Sequence, residues 1–514
     1  MISKINIFIC IVLILYAALG IGMAFLGNIH TDESWWFYGS TLVPKGQHPH
    51  FDFISHHNPV FYYLYAIPQY VFGNSLIVAR LTSLFFALLT FFVALRLSFK
   101  KTGWSGLLLA AILFLTNIYV LYCYTIVHYQ ALETLILTVI LAIVFGETPS
   151  RTKAFWISVL GVLLMGVRYP VELIPLLFFF YLAWVAVRYL KHPAFSRIAV
   201  GTAVISLLII YSPYLLFIPD KFFTNTIWYI LKMESFKELF GLGGFSLTGI
   251  LITRLTWIKE AFNNYVAIYG ILGTVGLAVL FKTIHVPVRY VGLVLFTIII
   301  ECFYLIPHSS GLASFTSFIF PLMVFLAVIG LKSVSSDNNR ELIFLKRGFV
   351  ASLLTVGLVL QIPVGAQNTF AYTWVRSDVK NAYEVAQKIK SLVPPEGKIL
   401  TFTPIFAALA DRQVVHGLEM ELASFFPTWP TEKARYHDMM NIEMLEDTIF
   451  NRSASAIVLT EKRFFEDLGY ARILQPYRNK LVTLIEANYH LVEKIEVPHS
   501  IHRGDVFIYL PRPQ

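Results

Sequence analysis

Two adjacent carboxylates, Asp32 and Glu33, follow the first long apolar run, which extends from Ile5 to Leu26. Carboxylates are costly to desolvate at a membrane boundary and persist there with a partner or a task. Asp32 suits a general base that takes a proton from a hydroxyl, or a ligand for a divalent cation, with Glu33 in support. The plainer reading is a helix start, with Thr31 as the cap and acids in the first turn complementing the dipole. Further along, His56-His57-Asn58-Pro59 brings imidazoles into the same stretch. Imidazoles can ligate a divalent metal, which makes Asp32 with His56 a candidate metal pair, or donate to a phosphate, as His56 and His57 could. Hydrated turn histidines are the alternative.

Other candidates lie further on. Arg168 precedes Tyr169-Pro170 between two apolar runs, where a cation calls for an anion or open water; an ion pair with Glu172 is the competing reading. Tyr122, Tyr124, His128, Tyr129, Gln130 and Glu133 form a polar cluster at a helix end. Tyr and His there can be ordinary interfacial anchors. Glu133 sits about one turn inside, so it and His128 are candidate substrate contacts. Arg80, near the start of the second long span, reads as a structural, snorkelling residue.

The elements around these residues can be read from composition and pattern. Trp35, Trp36 and Tyr38 suit a helix lying at the headgroup level. Asn58 and Pro59 read as the N-cap and first residue of a second helix that runs to Gly73. The first loop, residues 28–74, is then two interfacial helices joined by a His- and Pro-rich turn, with carboxylates and imidazoles facing one another.

The whole chain of 514 residues is 57% hydrophobic and 14% charged, with mean hydropathy +0.67. Ordinary soluble domains are roughly 45–50% apolar and about 25% charged. The composition therefore marks a polytopic membrane protein. About 11 spans of ~20 residues are expected: 5–26, 75–97, 104–122, 128–146, 154–168, 170–189, 198–217, 264–281, 290–306, 311–331 and 348–366. The net charge of +9 is topological. Lys and Arg cluster in alternate loops, such as Arg96/Lys100/Lys101 and Lys332/Arg340/Lys346/Arg347, and are missing from the intervening short ones. The positive-inside rule places those basic loops in the cytoplasm and Asp32 and Glu33 on the exoplasmic side. Nucleic acid is not implied. The lipid bilayer is the first partner.

A long exoplasmic loop, Pro219–Asn263, has a glycine run suited to a mobile cover over a site, or to a plain connector. Cys10, Cys123 and Cys302 are scattered through apolar spans and read as buried, inert thiols. From residue 367 the composition turns soluble. Lys398–Thr403 and Ala456–Thr460 read as buried strands, and Asp378–Leu392 and Thr431–Glu446 as helices. The domains are thus a membrane unit, 1–366, and a small exoplasmic α/β domain, 367–514.

An Asp-Glu pair just after the first span, followed by a Pro- and aromatic-rich segment leading into the second, resembles the polyprenyl-phosphate-sugar-dependent glycosyltransferases of the GT-C fold. The similarity is greatest to protein O-mannosyltransferases and lipid A aminoarabinose transferases. It implies inverting transfer of a sugar from a polyprenyl-phosphate donor to a hydroxyl on a glycan, lipid or protein acceptor, in a cell membrane, most simply the bacterial plasma membrane. In the aminoarabinose transferases the matching segment reads acid-Lys-Pro-Pro-Leu; here it is His56-His57-Asn58-Pro59-Val60, so acid and lysine are both replaced. The resemblance also implies that Arg168 meets the lipid phosphate, which the guanidinium fork suits, and that His308 lies where the family contacts its donor. A divalent metal is the one possible cofactor. The competing classes are a transporter or lipid flippase, and a non-catalytic scaffold. A transporter would carry ionisable groups deep in its spans and repeated halves with broken helices.

Overall fold

The computed structural model describes residues 2–30, 32–146, 151–167, 193–228, 320–335, 377–465, 473–497 and 504–513, with single positions at 317, 355, 359 and 362. Among the described residues, three helices are long and apolar enough to cross a membrane: Lys4–Leu26, Leu76–Thr102 and Val200–Phe217. They belong to α1 (Ile2–Leu26), α4 (Leu76–Thr102) and α9 (Pro193–Phe217). The chain is a multi-pass, helical membrane protein. The expected spans 170–189, 264–281 and 290–306, nearly all of 348–366, and the boundary at 367 lie outside the described residues, as do Arg168 and His308.

The span expected over 104–122 is broken. Helices α5 (Trp104–Thr116) and α6 (Ile118–Thr125) meet at 70°. Asn117 leaves the helical region at φ −88°, ψ 81°, and its side chain accepts the Val120 N–H at 3.0 Å, capping the second helix. Helices α7 (Tyr129–Gly146) and α8 (Arg151–Val167) match expected spans in position; a short helix, α10 (Pro219–Phe223), opens the expected Pro219–Asn263 loop, whose residues 229–263 lie outside the described residues, and α11 (Phe320–Ser335) covers only residues 320–331 of the span expected over 311–331. Cys123 is buried as expected, but Cys10 faces outward from α1.

The first loop forms two helices, α2 (Glu33–Leu42) and α3 (Val60–Phe72). Gly73 ends α3 at φ 83°, a conformation that a side chain would strain. Two expectations fail here. Pro59, not Asn58, holds the N-cap position, and the Asn58 side chain donates to the Met165 carbonyl of α8 instead. Trp36 and Tyr38 do not face lipid headgroups. Both are buried in the protein core: Trp36 lies among the rings of His57, Phe61, Tyr62, His128 and Tyr129, and Tyr38 lies under a further layer of chain that covers α2. The outward side of α3, with Ile67, Tyr70, Val71 and Phe72, is exposed, as an interfacial helix requires.

That covering layer is the C-terminal region. Its five-stranded sheet comprises β1 (Lys398–Thr401), β2 (Gln413–Val414), β3 (Ala456–Thr460), β4 (Tyr489–Ile495) and β5 (Val506–Pro511), in the order β2-β1-β3-β5-β4. Strands β2, β1 and β3 run parallel, and β5 pairs antiparallel with β3 and β4. All five residues of β3 are buried, as for a strand covered on both faces. Helix α12 (Asp378–Leu392) has the expected bounds. Ser377 caps it, and its inner face is Val379, Ala382, Val385, Ala386 and Ile389. The helix expected over Thr431–Glu446 is two, α14 (Thr431–Tyr436) and α15 (Ile442–Phe450), separated because Asp438 turns left-handed at φ 55° and Asn441 caps α15. A short helix, α13 (Pro404–Leu409), cuts the first expected strand back to Thr401.

The C-terminal region rests directly on the first loop. Ser34 Oγ accepts the Ile405 N–H at 3.1 Å, and the Tyr38 hydroxyl accepts the Val414 N–H at 2.8 Å. Ser377 Oγ donates to the Phe25 carbonyl at 2.7 Å, and Asp378 accepts the Ile29 N–H at 3.3 Å. Helix α2 is thus held between the membrane helices below and the sheet region above.

Candidate active site

Asp32 occupies the N-cap position of α2, yet its side chain makes no capping hydrogen bond. The carboxylate is therefore not consumed by helix initiation, and its side chain keeps 32% exposure. Oδ2 stands 3.9 Å from His30 Nδ1 and 4.0 Å from His128 Nε2. Both distances are longer than a hydrogen bond, so an oxygen of another molecule could bridge. His128 follows α6 in the short turn before α7. Its ring packs on Tyr129, with centroids 4.0 Å apart, and edge-on to Trp36 at 5.6 Å. His30 meets His128 edge-on at 6.1 Å.

Glu33, expected beside Asp32 as part of the chemistry, is committed elsewhere. Its carboxylate takes Arg80 Nε at 2.8 Å and an Arg80 terminal nitrogen at 2.7 Å. It also accepts the backbone N–H groups of Val127 at 2.9 Å and His30 at 3.3 Å. With these four donors around it, this acid has no capacity left to serve as a base. Arg80 is correspondingly no snorkelling residue. It is fully buried, and its remaining donors reach the carbonyls of Ala24, Gly27 and Asn28. Those carbonyls close the end of α1, where no intrahelical partner exists. One buried ion pair therefore joins the end of α1, the start of α2, α4 and the turn before α7.

The other imidazoles separate from Asp32. His57 stacks on Trp36 at 4.0 Å and faces Tyr129 at 5.5 Å, inside the aromatic wall of the site. His56 is buried against His50 and the backbones of Ala423 and Asn225, under the C-terminal region. Burial pushes its pKa well below the usual imidazole value, and that of His50 down to about 3. These are neutral rings and not the hydrated turn histidines of the alternative reading. The expected Asp32–His56 metal pair is not assembled: the imidazoles next to Asp32 are those of His30 and His128. Among the described residues, no three or more His, Cys, Asp or Glu side chains converge to hold a metal ion. Glu133, on α7, is buried as its position one turn inside implied. His30 was not singled out by sequence, and Trp36 was read only as a headgroup anchor. The His30-Thr31-Asp32 spacing was the one available signal.

An apolar cavity of about 550 Å³ opens beside the loop, lined by Phe51, Val60, Tyr63, Ile209, Pro213 and Phe217, among others.

No family model and no curated protein matches the chain. Solved structures do. The chain is similar to ArnT from Cupriavidus metallidurans in the apo state, with TM-score 0.60 and 12% identity over 100% of this chain and 99% of that one. ArnT bound to undecaprenyl phosphate aligns over the same shares with 12% identity and TM-score 0.58. The archaeal oligosaccharyltransferase AglB from Archaeoglobus fulgidus, in complex with an inhibitory peptide and a dolichol-phosphate, gives TM-score 0.51 and 12% identity over 97% of this chain and 74% of that one. The chain has the GT-C fold that these proteins share.

Proposed function

We propose that the protein is an integral membrane glycosyltransferase that moves a sugar from a polyprenyl-phosphate donor to an acceptor hydroxyl on the exoplasmic side. The observation that carries this reading is Asp32: a carboxylate spent on no cap, part exposed, and flanked by two imidazoles at about 4 Å. The acceptor oxygen attacks C1 of the sugar, and its proton passes to Asp32. The bond from C1 to the phosphate oxygen breaks on the opposite face, and polyprenyl phosphate leaves with inversion at C1. The apolar cavity beside the first loop suits the isoprenoid chain. ArnT and AglB were solved with undecaprenyl phosphate and dolichol-phosphate, which supports a donor of this kind. Arg168 is assigned to the departing phosphate, where a dianion needs a cation. His57 and His128 line the sugar side with Glu133, and His308 completes the substrate contacts. His56, remote and neutral, offers that phosphate a hydrogen bond at most.

The test uses purified full-length protein and lipid-linked donors carrying an isotope-labelled sugar. Asp32→Asn is nearly isosteric but accepts no proton. It should lower turnover by about 10²–10⁴-fold, the usual worth of general-base assistance, with extraction and donor binding unchanged. Near-full activity in this variant would move the base elsewhere. A wild-type protein that translocates labelled donor without transfer would favour a flippase.

A further inference from the structure

Asp32 can act as a base only if its carboxylate is held in place. One holding contact is on the backbone of the turn itself. The Asp32 backbone N–H donates to His30 Nδ1 at 3.2 Å, while the His30 backbone N–H donates to Glu33 at 3.3 Å. A side-chain acceptor that takes the N–H two residues on defines an Asx-type turn, normally built by Asn or Asp. Here an imidazole supplies the acceptor. Accepting at Nδ1 fixes the ring as the tautomer with its proton on Nε2. We infer that His30 is a positioning residue: its Nδ1 clasps the Asp32 backbone and so fixes where the carboxylate stands between His30 and His128.

The inference rests on Asp32 being the base, as proposed above, and its geometry yields an unusual ranking of substitutions. Asn places its Oδ1 where Nδ1 stands and can rebuild the turn. Gln places its oxygen one bond further out, near the Nε2 position, and cannot. Ala removes the acceptor.

The experiment compares His30→Asn, His30→Gln and His30→Ala in the full chain. Three readouts are taken: turnover with a labelled lipid-linked donor, donor KM, and backbone hydrogen exchange of the peptide spanning residues 27–36. Thermal melting of each variant checks the fold. His30→Asn should keep near-wild-type turnover and slow exchange. The Gln and Ala variants should exchange faster and lose turnover by roughly ten- to a hundredfold, the scale of a misplacement near 1 Å, with donor KM little changed. The inference is overturned if the Ala and Gln variants turn over normally, or if they lose activity while exchange stays slow. It is also overturned if the Asn variant is as impaired as the Ala one, because His30 would then touch substrate directly. A fully active Asp32→Asn protein would sink the base assignment itself. The exchange comparison would still report whether His30 holds the turn.

Discussion

The Glu33 carboxylate and the Arg80 guanidinium meet through two hydrogen bonds of 2.8 and 2.7 Å, and solvent reaches neither side chain. Arg80 enters from the first turns of α4 and Glu33 from the first turn of α2. The same guanidinium closes the carbonyl end of α1. The pair therefore fixes the angle at which the Asp32 turn leaves the membrane helices.

Breaking this pair should unfold the loop before it alters the chemistry. Glu33→Gln leaves a buried guanidinium without its counter-charge, which costs about 3–5 kcal/mol. Arg80→Met leaves a buried carboxylate and should cost as much. Both variants should extract poorly and melt early, whereas Asp32→Asn should not. Melting curves in detergent decide the matter: a Glu33→Gln protein that is stable and merely inactive would return Glu33 to the chemistry.

The docking of the C-terminal region on α2 makes a second prediction. Tyr38→Phe removes the acceptor of the Val414 N–H and leaves a buried donor unpaired, at about 1–3 kcal/mol. Ser34→Ala does the same to Ile405. Each should speed hydrogen exchange in residues 403–415 and leave the membrane helices unchanged. Unchanged exchange in both variants would show that packing alone holds the region.

A third prediction concerns pH. His416 lies between two carboxylates, with Asp438 at 3.2 Å and Glu419 at 3.0 Å, and these contacts raise its pKa from 6.5 to about 10. A raised pKa in the folded state means the contribution is complete below about 6.5 and is lost as pH rises through about 10. The ring is half exposed, so salt should weaken the effect. The difference in melting temperature between wild type and His416→Gln should shrink from pH 6 towards pH 10, on the scale set by those two values. A constant difference would mean that packing, and not charge, is what His416 contributes.

The charge pattern predicts the membrane sidedness, which can be read chemically. Ser391, exposed on the last turn of α12, and Ser105, exposed at the start of α5, should face opposite compartments. An impermeant thiol reagent should label Ser391→Cys in intact cells and Ser105→Cys only after permeabilisation. Reversed labelling would move Asp32 to the cytoplasmic side and remove the case for a donor presented outside.

The parts of this structure legible in sequence are those fixed by neighbours along the chain. The apolar runs gave α1 and α4, Gly73 marked the end of α3, and the bounds read for α12, Asp378–Leu392, are those observed. The five apolar residues of β3 were equally plain. Asp32 stood out because a carboxylate beside a membrane span is costly. Partnerships across the chain left no such mark. Glu33 and Arg80 are 47 residues apart, and His128 reaches Asp32 only because α6 breaks away from α5. The Trp36 indole reads as a headgroup anchor until one knows that the rings of His57, Phe61, Tyr62, His128 and Tyr129 enclose it, as the C-terminal region covers Tyr38.

That cover has a consequence in time. Tyr38 waits for a partner 376 residues further along the chain, and Ser34 for one 371 residues away. At the roughly 5–20 residues per second of synthesis, the loop bearing Asp32 spends on the order of 20–75 s without the strand that completes its upper side. The loop is made early and covered late. A nascent chain that stops short of residue 414 would carry the Asp32 turn without the contacts that Ser34 and Tyr38 make to the C-terminal region, so the loop reaches its fixed setting only once those partners have been synthesised.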